Sequence, residues 1–259
     1  MMERIKEIAG QLLEAETSCE PILPITARYE GLQVEDAYQI QLQVLETKLQ
    51  SGRVVVGKKV GLTSKAMQTM LGVNEPDYGH LLDDMVVANN GTVEVSRLLS
   101  PKVEAEIGFV LKSDLVGPNV NYLDVLMATD YVVPTIEIID SRIADWKIKL
   151  VDTVADNGSS AMVVVGDQKT PIDGLELRNI GMVLFNNEIE VGNGAGAAAL
   201  GHPAHAIAWL ANKLHEFGIS LKAGELILPG ALSGAVAVKQ GDSVTAKFGS
   251  IGSVSVTFV

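Results

Sequence analysis

Residues 103–111 read Val-Glu-Ala-Glu-Ile-Gly-Phe-Val-Leu, with apolar side chains at every odd position and Glu104, Glu106 and Gly108 between them. Alternation of period two belongs to an extended strand, because a helix would scatter those five apolar residues around its axis. One face of this strand is therefore apolar and the other carries two acids. Strand rise separates the Cα atoms of Glu104 and Glu106 by about 6.5 to 7 Å, close enough for both carboxylates to converge on one cation.

A third acid, Glu137, lies in Val132-Val133-Pro134-Thr135-Ile136-Glu137-Ile138-Ile139-Asp140, where apolar neighbours on both sides predict burial. A buried carboxylate needs a partner, since an isolated buried charge costs many kcal/mol. A hard divalent cation meets that need. With oxygen ligands and no Cys or His cluster beside them, the donor set favours Mg²⁺ or Mn²⁺ over zinc or copper. The same pattern also fits a solvated polar strand face, with Glu137 paired to a Lys or Arg. Local charge bears on the choice: residues 83–140 hold ten acids and three bases, a net −7 within a chain total of −12. Such self-repulsion is easier to tolerate with a cation inside.

A basic counterpart lies in Val54-Val55-Val56-Gly57-Lys58-Lys59-Val60-Gly61-Leu62-Thr63-Ser64-Lys65. Facing inward, Lys59 would balance the carboxylates and could hold an anionic substrate or move protons. Facing outward, it would be an exposed lysine on an edge strand.

The acidic balance argues against nucleic-acid and anionic-membrane partners, whose binding rests on cations. The single cysteine, Cys19, cannot form an internal disulfide and suits a reducing compartment, so the expected location is the cytoplasm. No export signal is expected from an N-terminus interrupted by Glu3, Arg4, Lys6 and Glu7. The charge-free stretch 191–212 is interrupted by Gly192, Gly194, Gly196, Gly201 and Pro203, and reads as buried loop and helix rather than a membrane span.

Ile5, Ile8, Leu12 and Ala15 recur at helical spacing, as do Tyr38, Leu42, Leu45 and Leu49, with Pro21, Pro24 and Gly31 between them. Beyond residue 50 short β-rich runs dominate, at 54–56, 103–111, 131–139, 162–165, 181–185, 225–228, 236–238, 244–248 and 254–258. One further helix is predicted from Pro203 to a C-cap near Gly218. The fold class is α+β, an N-terminal helical cap (1–50) on a β-rich body (51–259), as one structural unit. Gly194-Ala195-Gly196-Ala197-Ala198-Ala199 matches a dinucleotide-binding fingerprint, but Gly201-His202-Pro203 breaks the helix it should open and no βαβ series precedes it. Nucleophilic hydrolysis lacks a serine elbow, and His80, His202, His205 and His215 are scattered.

Several segments in fixed order resemble the 2-hydroxypentadienoate (2-keto-4-pentenoate) hydratases of the fumarylacetoacetase-like superfamily. They are Gly57-Lys58-Lys59-Val60-Gly61-Leu62-Thr63-Ser64-Lys65, Glu75-Pro76-Asp77-Tyr78-Gly79-His80-Leu81-Leu82-Asp83-Asp84-Met85, Glu104-Ala105-Glu106, and Glu137-Ile138-Ile139-Asp140-Ser141-Arg142. Asp145-Trp146-Lys147-Ile148-Lys149, Ala155-Asp156-Asn157-Gly158-Ser159-Ser160 and Gly252-Ser253-Val254-Ser255-Val256 extend the likeness over nearly the whole chain.

The resemblance implies a mixed β-roll or sandwich, Mg²⁺ or Mn²⁺ held by Glu104, Glu106 and Glu137, and Lys59 in the active site. The implied reaction adds water to 2-hydroxypenta-2,4-dienoate, giving 4-hydroxy-2-oxopentanoate, in aromatic meta-cleavage degradation. Ketonisation with protonation at C5 leaves a double bond conjugated to the C2 carbonyl, so that water can add at C4. Both steps need an acid or base. Lys59 and Asp77 are the candidates for that proton work, with Asp84 and Ser160 as candidates for orienting water or the substrate carboxylate. Asp77 follows Pro76 in a turn-like stretch where Asp is common, and Ser160 also suits the end of a loop. One departure is Pro229, at a position where the family often carries Ser or Thr before Gly-Ala-Leu, so no hydroxyl contact is carried over there.

The nearest rival is 4-oxalocrotonate decarboxylase, a sister enzyme with the same metal site. Asp77 and the Asp145–Lys149 run resemble the hydratases, whereas the decarboxylases tend to have an apolar residue at the first place and an Asn-Phe-Lys-like run at the second. A third reading is a non-catalytic scaffold subunit in a hydratase–decarboxylase complex. The resemblance also implies a homo-oligomer acting on a small 2-oxo or 2-hydroxy-dienoate.

Overall fold

The computed structural model describes residues 1–259 apart from the side chains of residues 70 and 71. Its helices are α1 (Met2–Ser18), α2 (Ile25–Arg28), α3 (Val34–Gln50), α4 (Lys65–Leu71), α5 (Tyr122–Ala128), α6 (Leu150–Ala155) and α7 (Pro203–His215). The strands are β1 (Val55–Gly61), β2 (Asp77–Leu82), β3 (Val86–Ala88), β4 (Gly91–Val93), β5 (Lys102–Leu111), β6 (Thr129–Ile139) and β7 (Ser160–Val165), then β8 (Thr170–Pro171), β9 (Gly181–Asn186), β10 (Ile189–Ala195), β11 (Leu226–Leu228), β12 (Val236–Ala237), β13 (Ser243–Phe248) and β14 (Gly252–Phe258).

Fourteen strands form two sheets. The larger, nine-stranded sheet runs β2-β1-β11-β5-β6-β7-β3, with β12 beside β5 and β8 beside β6. The smaller runs β10-β9-β13-β14-β4. Mixed pairing, with β1 parallel to β11 and β3 parallel to β7 among antiparallel neighbours, matches the expected α+β class. Among the described residues no helix is long and apolar enough to cross a membrane.

The predicted alternation in β5 decides how the sheets pack. Val103, Ala105, Ile107 and Phe109 are fully buried and pair with Ile138, Ile136, Pro134 and Val132 of β6. They share one core with Val244 and Ala246 of β13 and Val254 and Val256 of β14, so this face of β5 and β6 is covered by the smaller sheet. By the period of the strand, the glutamates lie on the opposite face.

The two N-terminal helices form where periodicity predicts them, but the buried stripe of α3 is turned. Ala37, Tyr38, Ile40, Gln41 and Val44 face inward, whereas Leu49 is 41% exposed. The reason is Gln41, whose amide donates to the carbonyls of Tyr78 (2.9 Å) and Val154 (2.8 Å), so that a polar residue pins α3 to β2 and α6. The glycines of the discounted fingerprint serve backbone packing: a Cβ on Gly194 would collide with the carbonyl of Leu232. The charge-free stretch 191–212 is taken up by β10, a turn and α7, whose N-cap His202 accepts from the Ala204 N–H at 3.1 Å.

Candidate active site

The antiparallel register pairs Glu104 of β5 with Glu137 of β6, and Glu106 with Thr135. All three glutamates therefore project from one face. One oxygen from each lies within 4.8 Å of the other two. Glu106 and Glu137 are buried and Glu104 is partly so. A second apolar cluster, including Leu81, Val133, Val163, Leu226 and Leu228, lies on the same side of the sheet and keeps this face dry.

Low polarity and mutual repulsion act together on the three acids. Burial and the neighbouring Glu137 push the Glu104 carboxyl up to about 7, against the pull of Lys59. Burial, then Glu137 and Glu104, hold Glu106 well above the ordinary carboxylate range. Burial raises Glu137 as well, with Lys59 partly offsetting it. Glu106 Oε1 and both Glu137 carboxylate oxygens are buried without a hydrogen-bond partner, while Glu106 Oε2 accepts from the Gly230 N–H at 2.7 Å. Buried polar atoms left unpaired call for a ligand. Three convergent carboxylates with free lone pairs fit a hard divalent cation of the Mg²⁺ or Mn²⁺ kind.

Lys59 reaches this face through the sheet order. β1 lies between β2 and β11, so its lysines are not at an edge. The ammonium of Lys59 lies 3.6 Å from Glu137 Oε1 and donates to the Gly158 carbonyl at 2.8 Å. Burial works against its charge, but Glu137, Asp77, Glu104 and Glu106 together outweigh that and hold its pKa above the ordinary lysine value. Lys58 points the other way into a buried pair with Glu225 at 2.6 Å.

Asp77 is not in a turn. It opens β2, opposite Gly61, and every residue of that strand is buried. With Gly79 opposite Lys59, Asp77 and Lys59 share a face. Burial raises the Asp77 carboxyl against the lowering by Lys59; Oδ2 accepts from the Thr153 hydroxyl at 3.3 Å, and Oδ1 is buried and unpaired. Ser160 begins β7 opposite Ile139, with its hydroxyl buried and unpaired. Asp84 takes a different partner, Arg53 at 3.0 Å, on half-exposed side chains, and with Ser160 it lines a cavity of about 500 Å³.

Three contacts had no signal in residue type: the Gly230 N–H to Glu106, the Gly158 carbonyl to Lys59, and Thr153 to Asp77. The first two are backbone groups, which any residue carries.

A dry carboxylate centre with an internal lysine and aspartate, built on a mixed β fold, makes a candidate metal-binding site. The chain belongs to the fumarylacetoacetate (FAA) hydrolase C-terminal family, whose profile matches residues 56–259. It is 48% identical over 253 residues to 2-keto-4-pentenoate hydratase of Paraburkholderia xenovorans (strain LB400), covering 98% of this chain and 94% of that one. It is 42% identical over 257 residues to 4-oxalocrotonate decarboxylase of Pseudomonas putida, covering 99% and 97%. The solved structure of 4-oxalocrotonate decarboxylase from Pseudomonas putida G7, complexed with magnesium and adipate, superposes with a TM-score of 0.98 at 39% identity, covering 100% of this chain and 98% of that one.

Proposed function

We propose that the chain is a metal-dependent hydro-lyase that adds water to 2-hydroxypenta-2,4-dienoate to give 4-hydroxy-2-oxopentanoate. The observation that carries this reading is the pair Lys59 and Asp77, two buried proton-handling groups on the face that holds the glutamate triad, in a chain 48% identical to a named hydratase.

Glu104, Glu106 and Glu137 would hold Mg²⁺ or Mn²⁺, which supplies a Lewis acid and a template for the carboxylate and 2-oxygen of the substrate. Lys59, kept protonated by four neighbouring carboxylates, can hold the anionic substrate, deliver a proton toward C5 and regain the one that the 2-hydroxyl gives up on ketonisation. Asp77 has one oxygen free and a carboxyl raised by burial, which suits it to take a proton from water and return it. Ser160 offers an unpaired hydroxyl for orienting that water or the substrate. Asp84 would act at the cavity it shares with Ser160, and only by leaving Arg53.

The decarboxylase reading keeps a specific support in the 42% relative and the 39% structural neighbour. Incubating purified protein and Mg²⁺ with each substrate separates the two. Loss of the dienol absorbance without CO₂ is expected; CO₂ from oxalocrotonate without hydration would overturn the hydratase reading. Cytoplasmic location fits the lone Cys19. A homo-oligomer, and association with a sister decarboxylase, fit the exposed apolar residues Leu123, Met127 and Ile189.

A further inference from the structure

The ammonium of Lys59 is held on one side by Glu137 and on the other by the Gly158 carbonyl. The second contact depends on an uncommon piece of backbone. Asn157, Gly158 and Ser159 have φ of 56°, 60° and 54°, three consecutive residues in the left-handed region, two of them with a Cβ. Non-glycine residues enter that region at a cost and as single residues, so a run of three persists only where its surroundings enforce it.

The turn is held at one end by the Ser159 carbonyl, which accepts from the Asp140 N–H at 2.8 Å, and at the other by the Asn157 side chain. β2 is the edge strand of the larger sheet, and the backbone of His80 needs partners on its open side. The amide of Asn157 supplies both: its Oδ1 accepts from the His80 N–H at 2.8 Å, and its Nδ2 donates to the His80 carbonyl at 2.9 Å. A single side chain thus imitates a neighbouring strand and clips the turn onto β2. The fit is close on both sides. A Cβ on Gly79 would collide with the Asn157 carbonyl, and a Cβ on Gly158 would sit 3.3 Å from Lys59 Cδ and Nζ.

We infer that Asn157 is a positioning residue for the reaction, which by clipping the left-handed turn to His80 places the Gly158 carbonyl that aims the Lys59 ammonium. Without the clip the turn relaxes away from β2, and the ammonium loses the carbonyl that aims it. The kinetic half of this inference rests on the proposed hydration; the structural half does not.

The test uses the metal-loaded protein and two variants. Asn157→Gly keeps left-handed backbone accessible but removes the clip, and Asn157→Asp keeps the acceptor for His80 N–H while losing the donor. Misplacing a proton-handling group by about 1 Å can cost about 100-fold in rate, so kcat of Asn157→Gly is expected to fall by about that factor. The Mn²⁺ dissociation constant should stay within about threefold of wild type, because neither the triad nor Asp77 is touched. Asn157→Asp should lie between. In parallel, ¹⁵N-lysine NMR on the protein loaded with diamagnetic Mg²⁺ should show a protected Lys59 ammonium resonance in wild type, assigned by its absence from Lys59→Met, and its loss in Asn157→Gly. Wild-type kcat together with a retained resonance in Asn157→Gly overturns the inference, as does a loss of Mn²⁺ affinity in step with kcat, which marks general disruption. If wild type does not hydrate the dienoate, the hydratase reading fails and the resonance alone decides on Asn157.

Discussion

Glu104 and Glu137 stand directly opposite one another across the β5–β6 ladder. Like charges in that relation destabilise a strand pair, and here a third carboxylate, Glu106, lies beside them in a dry setting. Lys59 is the cation that answers them and reaches only Glu137 closely, at 3.6 Å. The arrangement is unfavourable until positive charge is added. Saturating Mg²⁺ or Mn²⁺ should therefore stabilise the fold. At a concentration about 100 times Kd the linkage is about 2.7 kcal/mol, which at roughly 2–4 °C per kcal/mol is a rise of several degrees. Equal melting temperatures with and without saturating metal would mean that the triad does not bind the cation.

Glu106→Gln should separate repulsion from ligation. The amide can still accept from Gly230 N–H but brings no charge, so the metal-free variant should melt at or above the wild-type apo temperature. It should gain nothing from Mn²⁺ and turn over no dienoate. Unchanged Mn²⁺ affinity and turnover would instead mean that Glu106 does not hold the metal and that the metal-enzyme reading is wrong.

The pH dependence follows from the direction of each shift. Glu104 is raised to about 7 from 4.5, so its contribution to apo stability is fully present below about 4.5 and is lost as pH rises through about 7. Glu106 and Glu137 are raised too and act in the same sense. His80 acts oppositely: burial and Lys58 push it down to about 3 from 6.5, so its contribution is present above about 6.5 and is lost as pH falls toward 3. His80 is common to both forms, so the difference between metal-loaded and apo melting temperatures isolates the carboxylates. That difference should widen from pH 5 to pH 8, and metal binding near pH 6.5 should release protons. Calorimetry in buffers of unequal ionisation enthalpy reads the release; none would mean that the carboxylates are already ionised in the apo form.

A third buried charge pair, after Lys59–Glu137 and Lys58–Glu225, ties together the backbone around Ser160. Arg142 donates from Nε to Asp156 Oδ1, from Nη2 to the Asp156 carbonyl at 2.6 Å, and from Nη1 to the carbonyls of Asp140 at 2.7 Å and Ser160 at 3.1 Å. Asp156→Asn leaves the guanidinium buried and unpaired. Breaking such a pair from one side costs about 3–5 kcal/mol, and urea unfolding should show a loss of that size. A loss within about 0.5 kcal/mol, the range of ordinary surface substitutions, would mean that the backbone carbonyls alone satisfy Arg142.

Much of this was legible in the residues. Period two in 103–111 places Glu104 and Glu106 on one face, and the apolar flanks of Glu137 announce its burial. Strand register was not legible, because nothing local to β5 or β6 says that Glu104 meets Glu137 rather than a residue two places along. Asp77 reads as a turn residue beside Pro76 because the partners of β2 are distant in sequence: Gly61 across the ladder, Gln41 from α3 and Thr153 from α6. The turn of α3 toward Gln41 was hidden for the same reason, since an amide enters a core only when carbonyls far along the chain await it. Asp84 shows the converse, a carboxylate whose motif neighbours suggest the site but whose closest partner is Arg53.

Lys59→Met removes the ammonium while keeping an unbranched apolar stem of similar length, so the stem can still fill its place beside Gly158. General acid or base groups contribute about 10²–10⁴-fold, and turnover should fall by at least the lower figure. Metal binding should persist or tighten, because a positive charge 3.6 Å from Glu137 no longer competes with the cation. The metal-free variant should be less stable than wild-type apo protein, because Glu137 and Asp77 lose their compensating charge, and metal should restore most of the difference. Three measurements therefore move in different directions for one substitution: turnover down, Mn²⁺ affinity level or up, and the metal-induced rise in melting temperature larger. Wild-type activity would remove Lys59 from the mechanism, and a loss of Mn²⁺ affinity would show that the lysine shapes the triad rather than serving the reaction.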